Sequence, residues 1–146
     1  MPYPITQAVQ EIGRRVAASS SIVGSPATNA ETVVCQITGI DAQLPVMTGV
    51  YLSGVVSFTV GTSGTAITVR IRTGTTAGAG TVVATSGALT GGVAAGNLLS
   101  QDLQGFDTTS IGGAAPGTTS YCLTLQVTGG AATSTVSQTN LTALVA

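Results

Sequence analysis

Side chains able to do acid–base or metal chemistry are few in this chain of 146 residues. It holds five carboxylates, four arginines and two cysteines, and neither lysine nor histidine. A nucleophilic serine or threonine needs a neighbouring base, and no histidine or lysine is present to act as one. Two cysteines without histidine do not make a zinc site. The sequence therefore predicts no enzyme, no metal and no cofactor.

The carboxylates do not suggest a catalytic pair either. Asp102 and Asp107 are close in sequence, and a glycosidase-type acid and base would need two carboxyl groups in one cleft at a defined separation. Both lie in a stretch with no clear period, so we expect solvated loop carboxylates. A calcium site would need a denser alternation of oxygen ligands.

The arginines suggest salt bridges rather than a binding surface for an anionic partner. Arg70 and Arg72 share one face of a predicted strand, and we expect them to pair at a rim or between subunits with Asp41, Asp102 or Asp107. Long-range attraction to nucleic acid or anionic lipid is excluded by the net charge of −1. We therefore expect no nucleic-acid, membrane or small-molecule partner.

The first thirty residues have a different pattern from the rest. Apolar residues recur within residues 5–18 at spacings of four, three and four, which predicts an amphipathic helix. Residues 17–30 are polar and rich in serine, which predicts an extended linker. Residues 1–30 are thus predicted to be a helical arm and a linker. The apolar stripe of the helix either packs on the β-domain of the same chain or binds a partner. The candidate partner-binding residues are Ile5, Val9, Ile12 and Val16.

Residues 31–146 are predicted to form one β-domain because the apolar period changes to two. In residues 50–60 the even positions are apolar around Gly54, and residues 66–72 repeat the pattern. We predict that these two strands form a hairpin, and that the glycine-rich residues 74–80 form the next turn. Further strands are expected at residues 32–37, 81–84, 98–106, 121–127, 135–138 and 140–145. About eight antiparallel strands predict an all-β sandwich of the jelly-roll type.

The two cysteines are predicted to be free thiols. Alternation along residues 32–37 points Cys35 inward with Ile37. Along residues 121–127 the odd positions are apolar, so Cys122 belongs to the other face with Thr124. Side chains on opposite kinds of face do not meet to form a disulfide.

The low charge favours a protein that buries its surface against others, because few ions need desolvating. The first fifteen residues lack the pattern of a secretory signal, so synthesis in the cytosol is expected. One alternative is a subunit of an extracellular filament or surface layer, joined through an exposed strand edge. Another is a carbohydrate-binding module, although two Phe and three Tyr supply few aromatic platforms.

Two stretches carry a resemblance to a known group of proteins. VYLSGVVSFTVGTSGTAITVRIRTGTTAGAGTVV and TTSYCLTLQVTGGAATSTVSQTNLTAL resemble the capsid decoration (cement) and head-fibre proteins of tailed bacteriophages. The resemblance covers roughly residues 45–146 as a pattern of strands and turns, and leaves out the N-terminal helix. It implies a jelly-roll homotrimer that clamps major capsid proteins from outside the shell. It also implies synthesis in the host cytoplasm, location in the virion and no catalytic residues.

Overall fold

The computed structural model describes residues 15–18, 20–21, 29–40, 49–61, 66–88, 96–108, 119–129 and 134–145. Every regular element in these ranges is a β-strand, and they contain no helix that could cross a membrane. The strands are β1 (Arg15–Ala18), β2 (Ser20–Ser21), β3 (Glu31–Ile40), β4 (Val50–Val60), β5 (Ala66–Thr73), β6 (Val82–Thr85), β7 (Leu98–Asp107), β8 (Thr119–Thr128) and β9 (Ser134–Val145).

The strands form two antiparallel sheets packed face to face. Sheet A has the order β1-β9-β4-β7, and sheet B has the order β2-β3-β8-β5-β6. The chain crosses from one sheet to the other at six places, between β1 and β2, β3 and β4, β4 and β5, β6 and β7, β7 and β8, and β8 and β9. This order is that of a jelly roll, so the predicted all-β antiparallel sandwich is confirmed.

The core lies between the two sheets and follows the predicted alternation. The even-numbered side chains of β4 and the odd-numbered apolar side chains of β5 and β8 are buried. Gly54 lies in the middle of this layer, where a Cβ would come 2.9 Å from Cδ1 of Leu123 in the opposite sheet. The predicted period is therefore correct, and the glycine leaves room for side chains of sheet B.

The hairpin predicted between residues 50–60 and 66–72 is wrong. β4 pairs with β7 and β9 in sheet A, whereas β5 pairs with β6 and β8 in sheet B. A strand buries alternate residues equally well whether its sequence neighbour pairs beside it or packs across the core. Periodicity alone therefore does not distinguish the two arrangements. The predicted turn at residues 74–80 does join a hairpin, that of β5 and β6, and Thr73 N donates to Thr81 O at 3.0 Å.

The N-terminal helix is wrong for its last turn. Residues 15–18 form β1, and Val16 lies opposite Ala143 of β9. Backbone hydrogen bonds to β9 stabilise the extended conformation of residues 15–18. They outweigh the helical pattern, because Val16 is the only residue of the apolar stripe in this stretch. Residues 20–21 of the predicted linker form β2, which pairs with β3. Residues 5–14, which include Ile5, Val9 and Ile12, lie outside the described residues.

The cysteines lie on opposite faces, as predicted, and both are free. Cys35 is part of the core, whereas Cys122 is buried on the outer side of β8, between β3 and β5. A register shift after Val33 moves Val34 into the core, which the predicted alternation did not include. The prediction of two separate thiols is confirmed.

Candidate interaction surface

A cluster of charged side chains lies on the outer face of sheet B. Arg72 donates from Nε to Oε1 of Glu31 at 2.6 Å and from a terminal nitrogen to Oε2 at 2.8 Å. Arg70 lies 3.6 Å from the same carboxylate and donates to Gln126 at 2.8 Å. The Thr124 hydroxyl also donates to Glu31. The salt bridge predicted to Asp41, Asp102 or Asp107 is therefore made within the chain to Glu31, because β8 brings β3 and β5 to its two sides.

Burial and charge set the protonation of this cluster. Burial alone would raise the pKa of Glu31, but hydrogen bonds from Arg72 and Thr124 and the arginine charges lower it below its ordinary value. Beneath the cluster, burial raises the pKa of the Cys122 thiol to about 11, with the charge of Glu31 adding to the effect. Burial also raises the pKa of Cys35. Neither thiol is activated as a nucleophile.

The two neighbouring aspartates do not share a cleft. Both belong to β7 rather than to a loop, and their odd separation places them on opposite faces. Asp107 is buried and accepts a hydrogen bond of 2.9 Å from the Tyr121 hydroxyl, whereas Asp102 is exposed. The expectation of solvated loop carboxylates is thus wrong for Asp107. In the described ranges, no three His, Cys, Asp or Glu residues come together as metal ligands.

The outer face of sheet A differs sharply from that of sheet B. In β4, β7 and β9 the side chains that point away from the core are hydroxyl, amide and apolar groups, and Asp102 is the single charge among them. We call this surface face A; its residues are Tyr51, Ser53, Val55, Ser57, Thr59, Leu98, Ser100, Asp102, Gln104, Phe106, Thr135, Gln138, Asn140, Thr142 and Leu144.

Aromatic side chains mark one end of face A. Tyr51 and Phe106 lie opposite each other on β4 and β7 and are 38% and 48% exposed. The Tyr51 hydroxyl donates to Oε1 of Gln104 at 2.6 Å. The Phe106 ring lies against Gly49, where a Cβ would come 2.3 Å from Cζ. Both rings are therefore held in place on the surface.

A shallow depression lies beside these aromatic residues. Its volume is about 240 Å³, and it is lined by Tyr51, Ser53, Thr142 and Leu144. A face with a single charge, exposed aromatic groups and a polar surround has the composition of the centre of a protein–protein interface.

Among the predicted partner-binding residues, only Val16 lies in the described part of the chain. It belongs to β1, at the edge of sheet A beside β9, and the other three lie outside the described residues. The sequence does not reveal that the residues of face A form one surface. The outward residues of β4 were recognisable from alternation, but nothing local indicates that β7 and β9 are its neighbours.

Comparison with known proteins bears on the fold. Neither a protein-family model nor a curated protein matches the chain. Solved structures do match, among them two of infectious bursal disease virus. A chain in the structure of infectious bursal disease virus Gt strain matches with a TM-score of 0.59 and 16% identity, over 91% of this chain and 33% of that chain. For the Gx strain the TM-score is 0.53 and the identity 20%, over 91% and 32%. The likeness shows the fold alone. This chain spans about a third of the length of those virus chains.

Proposed function

We propose that this protein is a structural component of a virion, a decoration protein that binds the outside of a capsid shell and stabilises it. Its jelly roll is also found in chains of infectious bursal disease virus, and two of its stretches resemble phage decoration proteins. Face A is the observation that carries the proposal, because it combines exposed aromatic residues with almost no charge.

The size of face A suits a specific contact. Strands lie about 4.8 Å apart, and outward side chains follow one another about 6.8 Å apart along a strand. The three strands therefore present roughly 450 Å² of flat area before side-chain relief is added, of the same order as the roughly 800 Å² per partner of a standard interface. Burying hydroxyl and amide groups that find hydrogen-bond partners costs less than burying ions.

In this proposal the protein acts as a homotrimer whose partners are the major capsid proteins. Each trimer covers a junction between capsomers and adds buried area there, which resists separation of the shell subunits. The protein is made in the host cytoplasm and is located on the capsid surface. It catalyses no reaction and binds no cofactor.

The segment before β1 supplies a second contact with the shell through Ile5, Val9 and Ile12. Val16 is left out because it pairs with β9 opposite a buried position. The variant Ile12→Asp places a charge in the apolar stripe. We expect it to weaken shell binding without changing trimer assembly or the melting temperature. A lower melting temperature with equal occupancy of the shell would mean that the segment packs on its own domain.

The decisive experiment is co-sedimentation with shells of the encoding virus assembled without this protein. We expect saturable binding that changes less than about threefold between about 0.05 and 0.5 M salt, because screening acts on charged contacts. Shells carrying the protein should disassemble at a higher temperature. Ser53→Asp on face A should weaken binding at least tenfold, whereas Thr68→Asp on the outer face of sheet B should not. Equal binding by the two variants would rule out face A, and no binding by the wild-type protein would rule out the function.

A further inference from the structure

Within the described residues, three of the four sheet edges are short. β1 has four residues and β2 has two. β6 has four, and its pairing with β5 is interrupted by a register shift. Short or bulged edges are a usual protection against pairing with other chains.

The fourth edge, β7, lacks these protections. It has ten residues, and it pairs with β4 at ten consecutive positions without a register shift. In the described part of the chain no strand lies on its other side. Its sequence contains no lysine, arginine or proline, the residues that commonly block an edge. β7 therefore offers a long row of backbone donors and acceptors to another strand.

Exposed apolar side chains at both ends of β7 also favour its pairing with another strand. Leu98 is 67% exposed and Phe106 is 48% exposed, and both point outward on face A. Two of the four large apolar side chains exposed in the described residues thus belong to this one strand. An added strand would cover them while it satisfies the backbone.

We infer that β7 is a pairing edge that accepts an extended strand from a neighbouring copy of this chain, so that sheet A continues from one copy to the next. The inference deepens the proposed function, since it names the contact that holds the copies together. The other edge of sheet A has the matching direction: β1 runs antiparallel to β7, so the segment that contains β1 in a neighbouring copy would meet β7 in the antiparallel orientation. The four described residues of β1 would cover only part of the ten-residue β7.

Charge favours this head-to-tail contact over pairing of β7 with itself. Asp102 lies near the middle of β7 and is exposed. Two antiparallel β7 strands paired about their centre would bring two Asp102 carboxylates close together, which destabilises a sheet. A head-to-tail contact avoids this and closes into a ring, of which a trimer is one case, or continues as an open filament.

The first test measures hydrogen–deuterium exchange in the full chain at several protein concentrations. Amides of β7 that point away from β4 should exchange slowly when the protein is assembled. They should lose that protection, by at least tenfold in rate, when dilution dissociates it. Assembly without any change in β7 would overturn the inference and leave the proposed trimer intact.

The second test uses matched lysine pairs and sedimentation. Ser100→Lys with Gln104→Lys places two charges on the edge strand. The control, Ser57→Lys with Ser53→Lys, places them at the opposing positions of β4, one strand inward. We expect the edge pair to raise the dissociation constant of the assembly at least tenfold, and the control to change it less than threefold. Equal effects of the two pairs, or none, would overturn the inference.

The state of the wild-type protein separates this inference from the proposed function. A trimer with protected β7 amides supports both. An open polymer with protected β7 amides supports edge pairing and overturns the trimer. A monomer at the highest concentration tested overturns both the edge pairing and the trimer. Binding to the shell is then decided by the co-sedimentation experiment alone.

Discussion

The ion pair on sheet B gives a sharp test of the fold. Glu31→Gln keeps the shape of the side chain but removes the charge that faces Arg72, and the two side chains are only 10% and 13% exposed. A hydrogen bond to a charged group contributes about 1.5–3 kcal/mol, and loss of one partner leaves the other poorly solvated. We therefore expect the variant to lose about 2 kcal/mol of unfolding free energy.

The expected change in melting temperature follows from the chain length. Unfolding entropy is about 2.1 cal/mol/K per residue, which is about 0.3 kcal/mol/K for 146 residues. A loss of about 2 kcal/mol thus lowers the melting temperature by about 6 °C at neutral pH. Calorimetry at fixed protein concentration measures this directly. Asp102→Asn is the matched control, because it neutralises an exposed carboxylate, and it should change the melting temperature by less than about 2 °C.

The same variant has a defined pH dependence. The pKa of Glu31 is lower in the folded chain than its ordinary value of 4.5. The stability it contributes is therefore present above about pH 4.5 and disappears as the pH falls through the lowered pKa. The difference between wild type and Glu31→Gln should shrink over that acid range. Parallel stability curves down to pH 2, or equal melting temperatures at pH 7, would refute this account of the cluster.

Three further predictions concern buried groups. Gly54→Ala should cost about 1–3 kcal/mol of unfolding free energy by overpacking, whereas Gly87→Ala, with open space around it, should cost less than about 0.5 kcal/mol in denaturant titrations. Tyr121→Phe should cost about 1–3 kcal/mol in the same assay, since it leaves a buried carboxylate without its hydroxyl donor. Cys35 and Cys122 should not react with a disulfide reagent at pH 8 in the folded protein and should both react after unfolding; rapid labelling of the native chain would contradict their burial.

The strands at the centre of the sheets could be predicted because their alternation depends on which face is buried. For β4 the predicted bounds and inward residues match the structure, and the opposite orientation of the two cysteines follows from the same rule. Pairing could not be predicted, since β4 and β5 bury alternate residues in either a hairpin or a crossover. The strand β1 was missed because it is held by β9, not by a pattern of its own.

The interaction surface was predictable only in its chemistry. Composition indicates a surface with little charge, and this is what face A has. Its boundaries depend on β7 and β9 lying on either side of β4, which local sequence does not encode. Likewise, the partner of Arg72 is Glu31, far away in sequence, because β8 brings their strands together. Composition therefore predicts the kind of surface, whereas the list of its residues depends on long-range pairings that the local sequence does not show.

The position of β4 has a consequence for how the chain folds. β4 lies between β7 and β9, both of which follow it in sequence. β1 also pairs with β9, so it too lacks its neighbour until β9 is made. During synthesis β4 is therefore complete before either neighbour exists, and sheet A forms only after β9 has left the ribosome. Contacts between residues so distant in sequence slow folding, because the intervening chain must be ordered first. Until β7 and β9 are made, the inward apolar side chains of β4 lack their complete sheet, and a chaperone would protect them from aggregation during this period.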